Sequence, residues 1–201
     1  MLRKEYGFLN VELRPLAEVK ESILDMVEAD LQDEAFSYVA LELMGAGQFE
    51  ESEEAVKSIS CDWRAEAAEL LALLAVRLND IGKSNGIRLL FQAIALSKDP
   101  EDPLGETEVL LCIADAARRM GLRDWVRASL TECVDRVDLV LKMKDPQEVM
   151  DARILVRKIA LSFKEIDLEA EALDAAQRIR DPARQSALIK ELSEIGTRPN
   201  S

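Results

Sequence analysis

Residues 64–81 read Arg-Ala-Glu-Ala-Ala-Glu-Leu-Leu-Ala-Leu-Leu-Ala-Val-Arg-Leu-Asn-Asp-Ile. Ala67, Leu70, Leu71, Leu74, Leu78 and Ile81 recur at the helical repeat, which puts them on one stripe of an α-helix. The pattern returns in Leu110, Ile113, Ala114, Ala117 and Met120, and again in Ala152, Leu155, Ile159, Phe163 and Ile166. Strand-like alternation is absent. Hydrophobic residues make up 48% of the 201 residues and aromatics only 4%, with 8 Gly and 6 Pro. The apolar mass is therefore Ala, Leu, Val and Ile rather than the ring residues that fill strands. Period and composition together predict an all-α chain, long enough to bury a core as one domain or one small repeat array.

The punctuation between stripes also repeats. Ser97-Lys98-Asp99-Pro100, Met143-Lys144-Asp145-Pro146 and Ile179-Arg180-Asp181-Pro182 each place a basic residue before Asp-Pro. A basic side chain suits a helix C-terminus, Asp can cap the orphan amides of the next helix, and Pro at the first helical position loses no hydrogen bond. Cys61-Asp62-Trp63 reads as the same junction without its proline. Asp62, Asp102 (of a second Asp-Pro), Asp145 and Asp181 are 40, 43 and 36 residues apart, the period of two helices plus turns. A second break falls inside each repeat, at Gly45-Ala46-Gly47 and at Ile81-Gly82-Lys83, where glycine permits a left-handed closing residue. The helices expected from these signals span 15–29, 32–45, 48–59, 63–80, 84–97, 104–120, 123–142, 146–164, 168–180 and 182–195. The domain organisation is an N-terminal segment 1–14, one helical array 15–196 and a disordered tail 197–201, with residues 1–13 extended or frayed.

Gly47-Gln48-Phe49-Glu50-Glu51-Ser52 with Ala55 and Ile59, and Gly82 through Ile87-Arg88-Leu89-Leu90-Phe91-Gln92-Ala93-Ile94, resemble the turn and second helix of tetratricopeptide repeats (TPR). Arg123-Asp124-Trp125-Val126-Arg127-Ala128 and Ile166-Asp167-Leu168-Glu169-Ala170 resemble the same turn more weakly. The resemblance covers about residues 32–195 and implies an α-α superhelix of four to five antiparallel helix pairs that binds proteins. It also implies groove-lining helices at 32–45, 63–80, 104–120 and 146–164. Family members often place Lys and Asn there to clamp a peptide carboxylate. The matching first repeat of this chain offers Ser37 and Leu41, so that mode of tail binding is not implied.

Charge and targeting signals narrow the function. The net charge is −13, from 26 basic and 39 acidic residues, which disfavours nucleic acid as a partner. The longest uncharged apolar run in a helical stretch, Leu70 to Val76, is far below the roughly 20 residues of a membrane span. No signal-peptide pattern follows Met1, so a cytoplasmic location is expected. Three cysteines, Cys61, Cys112 and Cys133, have no CxxC spacing and read as small core fillers rather than disulfide or zinc ligands.

Histidine is absent, which removes the most common general base and metal ligand. No catalytic residue, metal or cofactor is assigned. Glu50, Glu51, Glu53 and Glu54 form the densest acidic run, but carboxylates early in a helix are favoured by its dipole, and the run reads as a solvated face. Asp135 and Asp138 share a helix face without a third ligand. Gly45 and Gly47 lack the strand and the Lys-Ser or Lys-Thr of a phosphate loop. Trp63 and Trp125 sit beside helix starts, where a large ring more often plugs the gap between hairpins than anchors a partner.

One region runs against the composition: residues 118–164 hold 11 basic and 7 acidic side chains. Arg118, Arg119, Arg123 and Arg127 surround one turn, and Arg153, Arg157 and Lys158 follow on the next inward helix. With Asn79, the arginines Arg118, Arg119, Arg153 and Arg157 are the candidate groove residues, suited to an acidic peptide or a carboxylate. Their other role would be to neutralise Asp and Glu of adjacent helices, which an acidic array offers in number. The expected function is a non-catalytic scaffold or adaptor that binds a protein or peptide. A self-associating assembly protein is the alternative, and an all-helical enzyme a remote third.

Overall fold

The computed structural model describes residues 6, 9, 11, 14–99, 101–142 and 146–195. Ten α-helices and one 3-10 turn account for 80% of them, and no strand occurs among the described residues. The chain is all-α. In order the helices are α1 (Leu16–Leu24), α2 (Ala29–Gly45), α3 (Phe49–Val56), α4 (Arg64–Asp80), α5 (Gly86–Ser97), α6 (Pro103–Arg119), α7 (Arg123–Val140), α8 (Pro146–Glu165), α9 (Glu169–Gln177) and α10 (Pro182–Ile195). Cys61–Trp63 form the 3-10 turn. No helix among the described residues is long and apolar enough to cross a membrane.

Two compact units divide the chain, Met1–Lys98 and Asp99–Ser201, so the expected 15–196 array is parted within the Ser97–Pro100 junction. In the first unit α2 packs with α3 and α4 with α5, while α4 also lies against α2 and α3, and α1 against α2. This double neighbourhood explains α4. Its expected stripe is buried through Leu78, and Ala68, Ala72, Ala75 and Val76 are buried as well, because the helix has partners on two sides. Ile81 is 53% exposed in the turn beyond. In the second unit α6 packs with α7 and α8 with α9, with α7 and α6 against α8, and α10 against α9 and α8.

All four hairpins close in the same way. Gly47, Gly82, Gly121 and Asp167 have φ of 77°, 73°, 74° and 58°. The next amide returns to the carbonyl five residues back: Gln48 N–H to Leu43 at 2.9 Å, Lys83 to Leu78 at 2.9 Å, Leu122 to Ala117 at 2.9 Å and Leu168 to Phe163 at 3.0 Å. This double closure satisfies helix-end carbonyls that would otherwise be orphaned. Asp167 performs it without being glycine, as Asp tolerates the left-handed region better than most residues.

Asp102 caps α6, accepting from the Gly105 amide at 2.9 Å. Asp181 caps α10, accepting from Ala183 at 3.0 Å and Arg184 at 3.2 Å. Asp145 lies outside the described residues. Asp62, by contrast, makes no cap, because the chain enters α4 through the 3-10 turn. Replacing Asp102 or Asp181 by Ala should therefore lose about 1 kcal/mol each, read from urea unfolding, and Asp62→Ala should lose less.

Two expectations are corrected. The first helix ends at Leu24, not at 29, and α2 starts at Ala29, because the Gln32 side-chain amide donates to the Met26 and Leu24 carbonyls at 2.7 and 3.4 Å and stabilises a turn between them. In the N-terminal segment, expected to be extended or frayed, Tyr6, Leu9 and Val11 are buried, so fraying does not hold at these three residues. The Tyr6 hydroxyl donates to Glu34 of α2 at 3.0 Å and its ring lies 5.9 Å from that of Tyr38. The rest of 1–13 and the 197–201 tail are outside the described residues.

Candidate functional site

The turn that carries Arg118, Arg119, Arg123 and Arg127 is met by carboxylates from α8 and α9. Arg118 lies at the end of α6, with Nη2 2.5 Å from Asp115 and Nε 3.5 Å from Glu165. The bond to Asp115 raises its guanidinium above the ordinary arginine range, against a smaller desolvation effect. Arg123 donates to the Ile166 carbonyl at 2.7 Å, one of the free carbonyls at the end of α8. Arg127 is 2.7 Å from Glu171 of α9. Arg119 is exposed and has no ion pair among the described residues. Of the arginines around this turn, Arg118 and Arg127 are thus paired with carboxylates of their own unit and Arg123 with a carbonyl.

Along α8, Arg157 makes a two-pronged contact with Glu191 of α10, its Nε–Oε2 arm at 3.0 Å. Arg153 is half-buried and Lys158 exposed, and neither has an ion pair among the described residues. Arg118 meets α8 at Glu165, twelve residues beyond Arg153 and so about 18 Å along the axis at 1.5 Å per residue. Arg118, Arg153 and Arg157 therefore do not converge on one point. Asn79 is exposed in the last turn of α4, in the other unit, where its backbone carbonyl accepts from Gly82 at 2.9 Å.

What the sequence reading did not single out is the apolar part of the α8 surface. Met150 and Ile154 are 38% and 53% exposed. With half-buried Leu161 they fall within about 40° of one another around the helix, with Arg153 and Arg157 on one flank and Lys158 on the other. From α10, Arg184 brings Nη1 to 3.3 Å from the Met150 sulfur. The result is a narrow apolar strip with cations on both sides. One signal was present in the sequence: the Ala152, Leu155, Ile159 and Phe163 stripe is complete without Met150 and Ile154, which leaves two large apolar residues on the other face.

Elsewhere the candidates resolve into structural roles. Glu53 of the acidic run pairs with Arg88 at 2.5 Å and Lys57 at 2.6 Å, and Glu54 with Lys20 at 2.9 Å. The Arg88 bond holds the Glu53 carboxyl below its ordinary range, against burial that raises it. Asp138 is in close contact with Arg178, which also bonds Asp174 at 2.9 Å. Of the cysteines only Cys133 is core, and burial pushes its thiol well up. Cys61 and Cys112 are exposed, the first in the 3-10 turn and the second on the outward side of α6. Trp63 and Trp125 are half-buried rather than core plugs, and the Trp63 indole N–H donates to Asp30 at 3.4 Å. No group of three or more metal-ligating side chains occurs among the described residues.

No family model matches this chain, and no curated protein matches it. A similar solved structure is that of Ton1535 from Thermococcus onnurineus NA1, at 13% identity and a TM-score of 0.56 over 96% of this chain. The chain spans 55% of the length of that protein. At that identity the likeness concerns the helical fold alone.

Proposed function

We propose that this chain is a non-catalytic, TPR-like interaction module that holds an acidic, apolar-anchored segment of a partner protein along α8. The observation that carries the reading is the outward face of α8, where Met150 and Ile154 lie exposed between Arg153 and Lys158. Exposed apolar side chains flanked by Arg153 and Lys158, which have no ion pair among the described residues, suit an amphipathic acidic helix, which would bury its apolar side and pair its carboxylates. Four hairpins closed by one motif at 35-, 39- and 46-residue intervals, from Gly47 to Gly82, Gly121 and Asp167, support a repeat array of the TPR kind. In that resemblance α8 is a groove-lining helix. The absence of histidine from all 201 residues supports a role in binding rather than acid–base chemistry.

Fluorescence anisotropy with two synthetic helical peptides tests this. Both carry Leu at helical spacing, one with Glu and the other with Lys at the remaining positions. The acidic peptide should bind, and binding should weaken as salt rises. Changing Arg153 and Lys158 together to Ser should reduce its affinity roughly tenfold or more at unchanged helicity. Arg118→Ser should lower stability while leaving affinity per folded molecule intact, since Arg118 is engaged with Asp115 and Glu165. Equal binding of the two peptides, or an Arg153/Lys158 variant that binds like the parent, would end the proposal.

A further inference from the structure

The turn between α1 and α2 carries a surface of opposite character. Leu24, Val27 and Leu31 are 62%, 100% and 41% exposed. Glu21, Asp25, Glu28 and Asp30 are exposed around them, and Glu21, Asp25 and Glu28 have no ion pair among the described residues. The turn is held in place, since Met26 N–H donates to the Ile23 carbonyl at 2.9 Å and Gln32 bonds the Met26 carbonyl at 2.7 Å. A fully exposed valine on an ordered turn does nothing for the core, and clustered exposed apolar groups mark contact surfaces. The segment Leu24-Asp25-Met26-Val27-Glu28-Ala29-Asp30-Leu31 therefore combines protruding apolar groups with carboxylates, the chemistry that the α8 face lacks and would accept.

We infer that α8 of one copy receives the Leu24–Leu31 turn of a second copy of this chain. Val27 seats against Met150 and Ile154, and Asp25 and Glu28 face Arg153 and Lys158. This rests on the reading of α8 as a face for acidic segments and names the segment. The two surfaces differ, so the contact is heterologous: each copy donates a turn and offers a face. Pairing opposite charges at the rim sets the register and disfavours turn-to-turn or face-to-face encounters, where like charges would meet.

Light scattering and sedimentation equilibrium on the full chain, from micromolar to millimolar concentration, test it by complementation. The parent should rise above its monomer mass of 22.5 kDa with concentration. Val27→Asp removes the turn's apolar tip, and Arg153→Glu with Lys158→Glu reverses the face. Each variant alone should remain monomeric, whereas their equimolar mixture should form a one-to-one dimer, because the intact face of the first accepts the intact turn of the second. Circular dichroism confirms that both variants are folded. Should either misfold, Val27→Ser and Arg153→Ser replace them. A parent that stays monomeric throughout, or a mixture that stays monomeric while the parent associates, overturns the inference. If the parent is monomeric and yet the acidic peptide binds along α8, the self-association idea fails and the proposed function stands. If the peptide does not bind either, both fail.

Discussion

Replacing Arg136 by Ala is expected to cost about 3 kcal/mol of stability, and replacing Glu106 by Gln only about 1 kcal/mol, although the two side chains form one ion pair. Glu106 lies in the first turn of α6 and Arg136 on α7, with Nε 3.0 Å from Oε1. Their environments differ. The Glu106 side chain is 2% exposed, that of Arg136 31%. Arg136 also reaches Glu132 at 3.1 Å. Neither Arg136 Nε nor Glu106 Oε1 makes a well-aligned hydrogen bond, so the contact is chiefly one of charge. Removing the arginine leaves a carboxylate enclosed in the hairpin without compensation, the costliest way to break such a pair. Removing the carboxylate leaves a guanidinium that keeps solvent and Glu132. Replacing both with Leu should recover most of the loss, since a buried pair exchanged for apolar groups of similar volume is often near neutral. Urea unfolding of the three variants checks this order. Equal losses from the two single substitutions would mean that the pair is solvated and the packing around Glu106 open.

The helices were legible because they depend on short-range information. Apolar spacing selects the stripes, and Asp102 and Asp181 mark starts through bonds to amides only two or three residues away. The left-handed closures at Gly47 and Gly82 follow from the same local chemistry. Asp167 was harder to read, since nothing in its side chain distinguishes it from the surface aspartates around it. The site was much less legible. Whether an arginine is available to a ligand depends on what the chain brings to it from a distance: Glu191 reaches Arg157 from 34 residues away, and Ile166 reaches Arg123 from 43. Arg118, Arg123, Arg127 and Arg157 look alike in sequence to Arg153 and Lys158, and only the packing of α8 on its neighbours separates the engaged cations from the others. Charge density along the chain therefore pointed to residues of the second unit, several of which are engaged by side chains and carbonyls of that unit.

The other large expected effect also rests on a contact brought in from a distance along the chain. Asp33 belongs to an acidic stretch of α2 that looks like solvated surface, yet it is 4% exposed. One carboxylate oxygen accepts from the Ser60 backbone N–H at 2.7 Å and the other from the Ser60 hydroxyl at 2.6 Å. One turn earlier on the same face, Asp30 accepts from the Trp63 indole. Together they tie the connection after α3, just ahead of the 3-10 turn and α4, back onto α2. Hydrogen bonds to a charged acceptor contribute more than neutral ones, and two of them converge here, so Asp33→Ala should lose about 3 kcal/mol. Ser60→Ala keeps the backbone bond and should lose about 1 kcal/mol. Hydrogen exchange supplies a local readout: the Ser60 amide should exchange much faster in Asp33→Ala than in Ser60→Ala, because only the former removes its acceptor. If the Ser60 amide were equally protected in both variants, the carboxylate would not be what holds the connection, and the entry into α4 would have to be fixed by the packing of Trp63 alone.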